Sequence, residues 1–455
     1  MLSDVIDPRT SHVLHRSARQ PLDVAVGGRG LTLTMADGRT VIDASGGAAV
    51  SCLGHGHPRV NAAIKAQIDH LAYANTSFYS SEPAEALADV LLGRAPGGLV
   101  RAHFVSSGSE AVEACLKMAR QYFVETGRPE RVHVIGRRQS YHGNTFGALS
   151  ASGHPARRRV YEPLLMPHVS HVSPCFAFRY KAAGESSADY VARLAAELEA
   201  EFQRVGPDRV MAFIAEPVVG ATSGCVTAEP GYFRAVREVC DRHGALLILD
   251  EVMCGMGRTG TMHAWEQEGV TPDLQAVAKG LGAGYLPLGA MLVSRRVVEA
   301  LAAGSGAVAH GQTFQAHPVA CAAGLEVQRV IADERLLENV VGAGAALAEA
   351  LTARLAHHPH VADIRGRGLF LGLEFVADRV SLAPFEPARQ FADRLKRIAL
   401  DHGLAIYPSS GTINGRLGDH ALVAPPYIVT EGEIGQIVDR LARAIDATVA
   451  AVRAE

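Results

Sequence analysis

The 455-residue sequence has no paired-cysteine motif: its seven cysteines (Cys52, Cys115, Cys175, Cys225, Cys240, Cys254 and Cys321) are odd in number, scattered, and form no C-x-x-C. That excludes a disulfide framework or a thiolate zinc site and leaves reduced thiols. It has no basic excess either. Lys and Arg total 44 against 47 Asp and Glu, a net charge of −3, so nothing favours nucleic acid or an anionic membrane as partner. Nowhere do about 18 apolar residues run uninterrupted, and the opening MLSDVIDPRTSHVLHRSARQ has no apolar h-region. A cytoplasmic, uncleaved protein is expected. What remains is 48% hydrophobic and 20% charged residues, the composition of a soluble globular enzyme, in a chain long enough for two or three domains.

The chain is organised around residues 245–290. The apolar run Ala245 to Val252 ends at Asp250 and Glu251, as suits a strand buried on both faces of a parallel sheet. Open α/β sheets hold ligands beyond the carboxyl ends of their strands, which is where Asp250 falls. A second apolar piece, Gln275 to Ala278, leads to Lys279 and the flexible GLGAGYLPLGA. Either residue alone is an ordinary strand-end acid or loop lysine. Together they suggest a carboxylate and an amine converging on one cofactor.

Upstream, a short strand from His103 to Val105 runs into Ser106-Ser107-Gly108-Ser109. An amphipathic helix follows, with Val112, Leu116, Ala119 and Phe123 near one face. Free N–H groups and the dipole make such a helix start an anion site; a serine N-cap is the plainer alternative. Arg209 to Gly220 repeats the apolar strand ending in an acid, here Glu216, and a crossover helix stopped by Gly244 joins it to the central strand. Gly255 to Gly260 spells G-x-G-x-x-G, but five residues separate it from the apolar strand. Thr271-Pro272 also cuts short any helix after it, so a dinucleotide site is set aside. His55 and His57 lack a third ligand at helical spacing and are read as turn residues, with no metal expected.

Elsewhere, residues 1–30 read as a polar arm, Asp37-Gly38 as a hairpin turn, and Pro58 to His70 as a helix. The stretch from about Ser152 to Ser187 reads as a surface crossing, with Arg157 to Arg159 a solvated basic cluster. Beyond Ile331 come a helix over Leu336 to Leu355, an alternating strand pair in VADIRGRGLFLGLEF, and helices over Phe391 to His402 and Glu431 to Val452. The expected division is an arm plus part of a small domain in 1–60, a large domain in 61–330, and a C-terminal small domain in 331–455. The fold class is α/β, a large, mostly parallel sheet flanked by helices plus a smaller α+β domain.

DEVMCGMGRTG followed by AKGLGAGYLPLGA closely resembles the signature of the class III aminotransferases, in particular their omega-amino acid and amine–pyruvate members, pyridoxal-phosphate enzymes of fold type I. The likeness extends from about GGAAVSCLGHGHP to APPYIVT. It implies that Lys279 carries the Schiff base and Asp250 pairs with the pyridinium nitrogen. An ion pair at ~4 Å and effective dielectric ~20 is worth about 4 kcal/mol, roughly three pKa units, enough to keep that ring protonated. The resemblance also gives Ser107, Gly108 and Ser109 the cofactor phosphate, Tyr141 of Tyr141-His142-Gly143 a stacking role on the ring, and Glu216 and Val252 places beside it. Thr313 would reach the phosphate of a neighbouring subunit, which implies a homodimer with shared active sites. Met253 and Ala221 stand where the ornithine and 4-aminobutyrate branches carry glutamine and glutamate, so the site is more similar to the amine–pyruvate branch. Arg416 is then the candidate for the acceptor's carboxylate. The expected reaction moves an amino group from an amine or omega-amino donor to pyruvate or a similar 2-oxo acid. Decarboxylation or epimerisation on the same scaffold is the alternative.

Overall fold

Seven strands of four to seven residues assemble one sheet, in a computed structural model that describes residues 4–93 and 97–454. The first three residues of the expected arm lie outside the described residues. The strands are β1 (Leu99–Val105), β2 (His133–Arg137), β3 (Val169–Val172), β4 (Val210–Ala215), β5 (Leu246–Asp250), β6 (Leu274–Val277) and β7 (Gly289–Ser294). Their spatial order is β1-β7-β6-β5-β4-β2-β3. Neighbours are parallel except around β7, which runs antiparallel to both β6 and β1. Every residue of β4, β5, β6 and β7 is buried, as a sheet covered on both faces requires.

Register decides what meets at the sheet's edge. Leu249 pairs with Ala215 and Asp250 with Ala276, so the carboxyl ends of β4, β5 and β6 are level. Glu216 follows β4 directly, Asp250 closes β5, and Lys279 stands two residues past β6. Three residues far apart in the chain are thereby delivered to one rim.

Helix α1 (Gly108–Glu125) lies on one face, burying Val112, Leu116, Ala119 and Phe123 as the sequence spacing predicts. Helices Ser187–Val205 and Tyr232–Arg242 cover the other face with Tyr190, Leu194, Phe202, Val236 and Val239. Each such apolar side chain, fully buried, is worth about 1.5–3 kcal/mol.

The segment 152–187 departs from the expected surface crossing, because it contributes β3 to the edge of the sheet. Its four residues, Val-Ser-His-Val, are too few to display a period. Arg158 is also not simply solvated: its guanidinium donates to the carbonyls of Ser150 (2.6 Å) and Ser152 (2.7 Å) and pairs with Glu162.

Beyond the large sheet, Val361–Arg367 and Phe370–Phe375 form the expected hairpin, extended by Asp419–Val423 and Tyr407–Ser410. Leu404–Ala405 pairs in parallel with Thr40–Asp43, placing the two ends of the chain in one sheet. The helix Leu336–Leu355 is apolar and long enough to cross a bilayer by composition alone. Its stripe of Val340, Leu347, Leu351 and Leu355 packs into the core, which accounts for that composition. A buried cluster ties the 170s to the C-terminal hairpin: Arg179 donates to Glu374 at 2.6 Å, and Arg365 pairs with the same carboxylate at 2.7 Å. His55 sits 3.1 Å from Asp43 and His57 faces Glu334, so both histidines have structural partners.

Candidate active site

The level strand ends open into a cavity of about 540 Å³. Asp250 is buried at its floor, with Oδ1 accepting the Val252 N–H at 3.0 Å and Oδ2 lying 2.8 Å from His142 Nδ1. His142 is itself fixed by its backbone N–H, which donates to Ser152 Oγ at 2.7 Å. The histidine thus acts through the carboxylate, orienting it where it lines the cavity.

Lys279 lies in the left-handed region with φ of +43°, a conformation that costs a non-glycine residue of order 1 kcal/mol or more. Burial pulls its ammonium from 10.5 down to about 8, against the opposing pull of Asp250 and then Glu216. A useful fraction of this amine is therefore neutral near physiological pH. Glu216 is buried and its carboxyl is pushed up by desolvation. Its oxygens accept from the N–H groups of Tyr141 (3.2 Å) and Gly220 (3.1 Å).

At the start of α1, Ser107 is the N-cap, its Oγ accepting from the Glu110 N–H at 3.2 Å; Ser109 Oγ accepts from the Asn144 N–H at 3.0 Å. Among the described residues neither hydroxyl donates a hydrogen bond, so both can donate to a ligand. Gly108 is required by its neighbour as well as by any ligand, because a Cβ there would stand 2.6 Å from Val252 Cγ1. Val252 is thus packed onto the helix start. Ala221 and Met253 line the same cavity.

This donor set fits pyridoxal phosphate: an anion for a ring cation, a neutral amine for an aldehyde, and hydroxyls with free amides for a phosphate. Comparison with known proteins agrees. The class III aminotransferase family profile matches residues 13–445. The chain belongs to the class III aminotransferases. It is 47% identical over 444 residues to an uncharacterized aminotransferase of Schizosaccharomyces pombe, covering 98% of this chain and 97% of that one. Its fold is similar to an omega-transaminase from Thermomicrobium roseum (TM-score 0.90, 35% identity, 96% and 95% of the two chains covered). An omega-transaminase from Pseudomonas jessenii, solved with PMP, gives a TM-score of 0.92 at 33% identity and 98% of each chain. Class III aminotransferases depend on pyridoxal phosphate.

The cavity of this aminotransferase brings together Ser107, Gly108, Ser109, Tyr141, His142, Glu216, Ala221, Asp250, Val252, Met253 and Lys279. Two expected residues lie elsewhere. Thr313 is exposed and outside the cavity, its carbonyl accepting from the Tyr73 hydroxyl at 2.9 Å. Arg416 is exposed on the turn between Gly411 and Gly418, its backbone N–H held by Asn414 Oδ1 at 3.1 Å, and it does not line the cavity. The cavity's arginines are instead Arg157 and Arg16. Arg157 had read as solvated and Arg16 as part of an arm. Nothing in their sequence neighbourhood marks them, since only the folded loop and arm bring them to the mouth. Tyr285 and Tyr407 join the lining in the same way.

Proposed function

We propose that this class III aminotransferase transfers an amino group from an amine or omega-amino donor to pyruvate or a similar 2-oxo acid, with Lys279 as the residue that binds the cofactor covalently. The observation that carries the reading is the pairing of a desolvated Lys279, its ammonium near pKa 8, with buried Asp250 at adjacent strand ends. Pyridoxal phosphate supplies the electron sink when bound. Asp250, oriented by His142, would supply the anion that keeps a proton on the ring nitrogen. Ser107, Ser109 and the amides opening α1 would hold the phosphate, and Tyr141 would offer its ring for stacking. Lys279 Nζ would take the proton from the substrate carbon and pass it to the bound cofactor within the same half-reaction, and would carry a proton in the opposite direction in the second. Ala221 and Met253 support the amine–pyruvate branch over the ornithine branch.

Exposed Thr313 is proposed to complete the neighbouring subunit's phosphate site, which makes the working unit a homodimer, here expected in the cytoplasm. Decarboxylation or epimerisation is not favoured, because the family and the structural neighbours are transaminases. The test is a screen of amine donors against pyruvate, following alanine formation, with Lys279→Ala alongside. Alanine is expected to accumulate only with intact Lys279. Full activity of Lys279→Ala would refute the assignment, and amine turnover without oxo acid consumption would replace transamination by one of the alternatives.

A further inference from the structure

One buried cation that acts on Lys279 has no carboxylate of its own. Arg258 follows β5 in the turn Gly257-Arg258-Thr259-Gly260 and is 1% exposed. Its Nη1 donates to the carbonyls of Leu369 (3.1 Å) and Pro425 (2.6 Å), and its guanidinium carbon lies 4.6 Å from the centroid of the Tyr427 ring. Among the described residues no ion pair joins it. Other largely buried guanidiniums have one: Arg179 and Arg365 share Glu374, and Arg237 has Asp273. Arg137, as deeply buried, acts on Glu216. A buried charge without a counter-charge is costly, and an apolar side chain of similar volume would remove the cost. Packing alone gives no reason for a cation there.

The contacts of Tyr427 lead from Arg258 to the lysine. The Tyr427 hydroxyl donates to the Met256 carbonyl at 2.9 Å, and a Cβ added at Gly280 would stand 3.4 Å from that hydroxyl and 3.0 Å from Met256 Cβ. The residue after Lys279 thus rests on Tyr427 and Met256. From the helix Pro318–Asp333, Gln328 Nε2 donates to the Gly280 carbonyl at 3.2 Å and fixes it. After burial itself, the groups that act most on the Lys279 amine are Asp250, Glu216 and Cys254, which favour its charged form, and Arg258, which opposes them. Burial pushes the Cys254 thiol and the Tyr427 phenol far up, so both are neutral, and Asp250 is shared with His142. That leaves Arg258 as the cation set against two carboxylates. We infer that Arg258 is a positioning residue for Lys279: its uncompensated charge, fixed against Tyr427 and the C-terminal sheet, sets a positive field at the amine and keeps it ready to meet an aldehyde. The inference deepens the transaminase reading and rests on it for what the amine then does; the field acts on Lys279 with or without cofactor.

The experiment uses the full-length, cofactor-free protein and the variants Arg258→Gln, Arg258→Met and Arg258→Lys. Trace acetic anhydride acylates neutral amines, and the yield at the Lys279 peptide is read by mass as a function of pH. With its ammonium at about 8, the parent labels with a midpoint near that pH. One uncompensated charge at about 10 Å and effective dielectric ~20 moves a titration midpoint by about one pH unit. Arg258→Gln and Arg258→Met are therefore expected to raise the midpoint by about that much and to label about tenfold less at pH 7, with Arg258→Lys within about twofold of the parent. Loosened packing would also raise the midpoint, by letting water in. The buried thiols of Cys52 and Cys254 are therefore offered a thiol reagent, and they are expected to stay unreactive in every variant. Parental labelling in the neutral variants, an equal loss in Arg258→Lys, or thiols that become reactive would each overturn the assignment. Should neither neutral variant fold, the lysine variant decides alone: labelling within about twofold of the parent supports the assignment, and a loss of about tenfold overturns it. A parent protein whose Lys279 labels with a midpoint of about 8 yet forms no borohydride-stable adduct with pyridoxal phosphate would defeat the transaminase reading and leave the role of Arg258 in place.

Discussion

Lys279 offers a titration whose shape separates a desolvated amine from an ordinary one. With its ammonium near pKa 8, about one amine in eleven is neutral at pH 7 and about ten in eleven at pH 9. Capture of pyridoxal phosphate by cofactor-free protein, trapped with borohydride and mapped to this lysine, is therefore expected to rise about tenfold between pH 7 and pH 9 and then level off. An ordinary lysine would rise about a hundredfold over the same interval and keep climbing through pH 10. The same shift couples to stability. The folded state releases the proton above about pH 8, while the unfolded lysine keeps it until about 10.5. Between those values the unfolded chain binds more protons, so cofactor-free protein gains stability as pH rises, by at most about 3 kcal/mol from this group. Stability that lacks this component is expected in Lys279→Ala. A capture rate climbing log-linearly to pH 10, with no plateau, would refute the claim that burial lowers this amine.

Other perturbations test other parts of the site. Asp250→Asn removes the anion that does most to raise Lys279, so the plateau in the capture titration should move to lower pH, and steady-state turnover should fall by about two orders of magnitude as ring protonation weakens; an unmoved plateau would show that Asp250 does not act on the lysine. Gly108→Ala drives a Cβ into Val252, and fluorescence titration should show weaker cofactor affinity with little loss of fold; unchanged affinity would mean that the helix start does not hold the phosphate. Glu374→Gln leaves Arg179 and Arg365 buried without their shared counter-charge, a loss of about 3 kcal/mol to be read from denaturant midpoints. A midpoint equal to the parent's would make that cluster energetically silent.

The chemistry-bearing residues were legible in the sequence to the extent that each sits at or just past the end of a strand or at the start of a helix. Asp250, Glu216 and Lys279 follow apolar runs whose burial pattern announces a covered sheet, and Ser107 precedes a helix whose apolar spacing is plain. Local sequence carries this information because strand ends and helix starts are defined by the residues that compose them. The helices Leu336–Leu355 and Glu431–Arg453 were legible for the same reason.

The rest depended on parts of the chain that meet only in three dimensions. That β7 runs antiparallel beside β1, that Val169–Val172 closes the other edge, and that Thr40–Asp43 pairs with Leu404–Ala405 are matters of register between distant segments. No local period records them. The arginines make the same point most sharply. Arg416 lies in the segment that the family resemblance singled out, yet it is exposed and does not line the cavity. Arg157 and Arg16 come from a basic run and a polar arm, yet they stand at its mouth. Residue type and spacing determined by themselves that an amine and an acid would share one rim. Which arginines line the cavity was decided only by how the loops fold back over it, because a long charged side chain is positioned by what surrounds it and hardly at all by its neighbours in sequence.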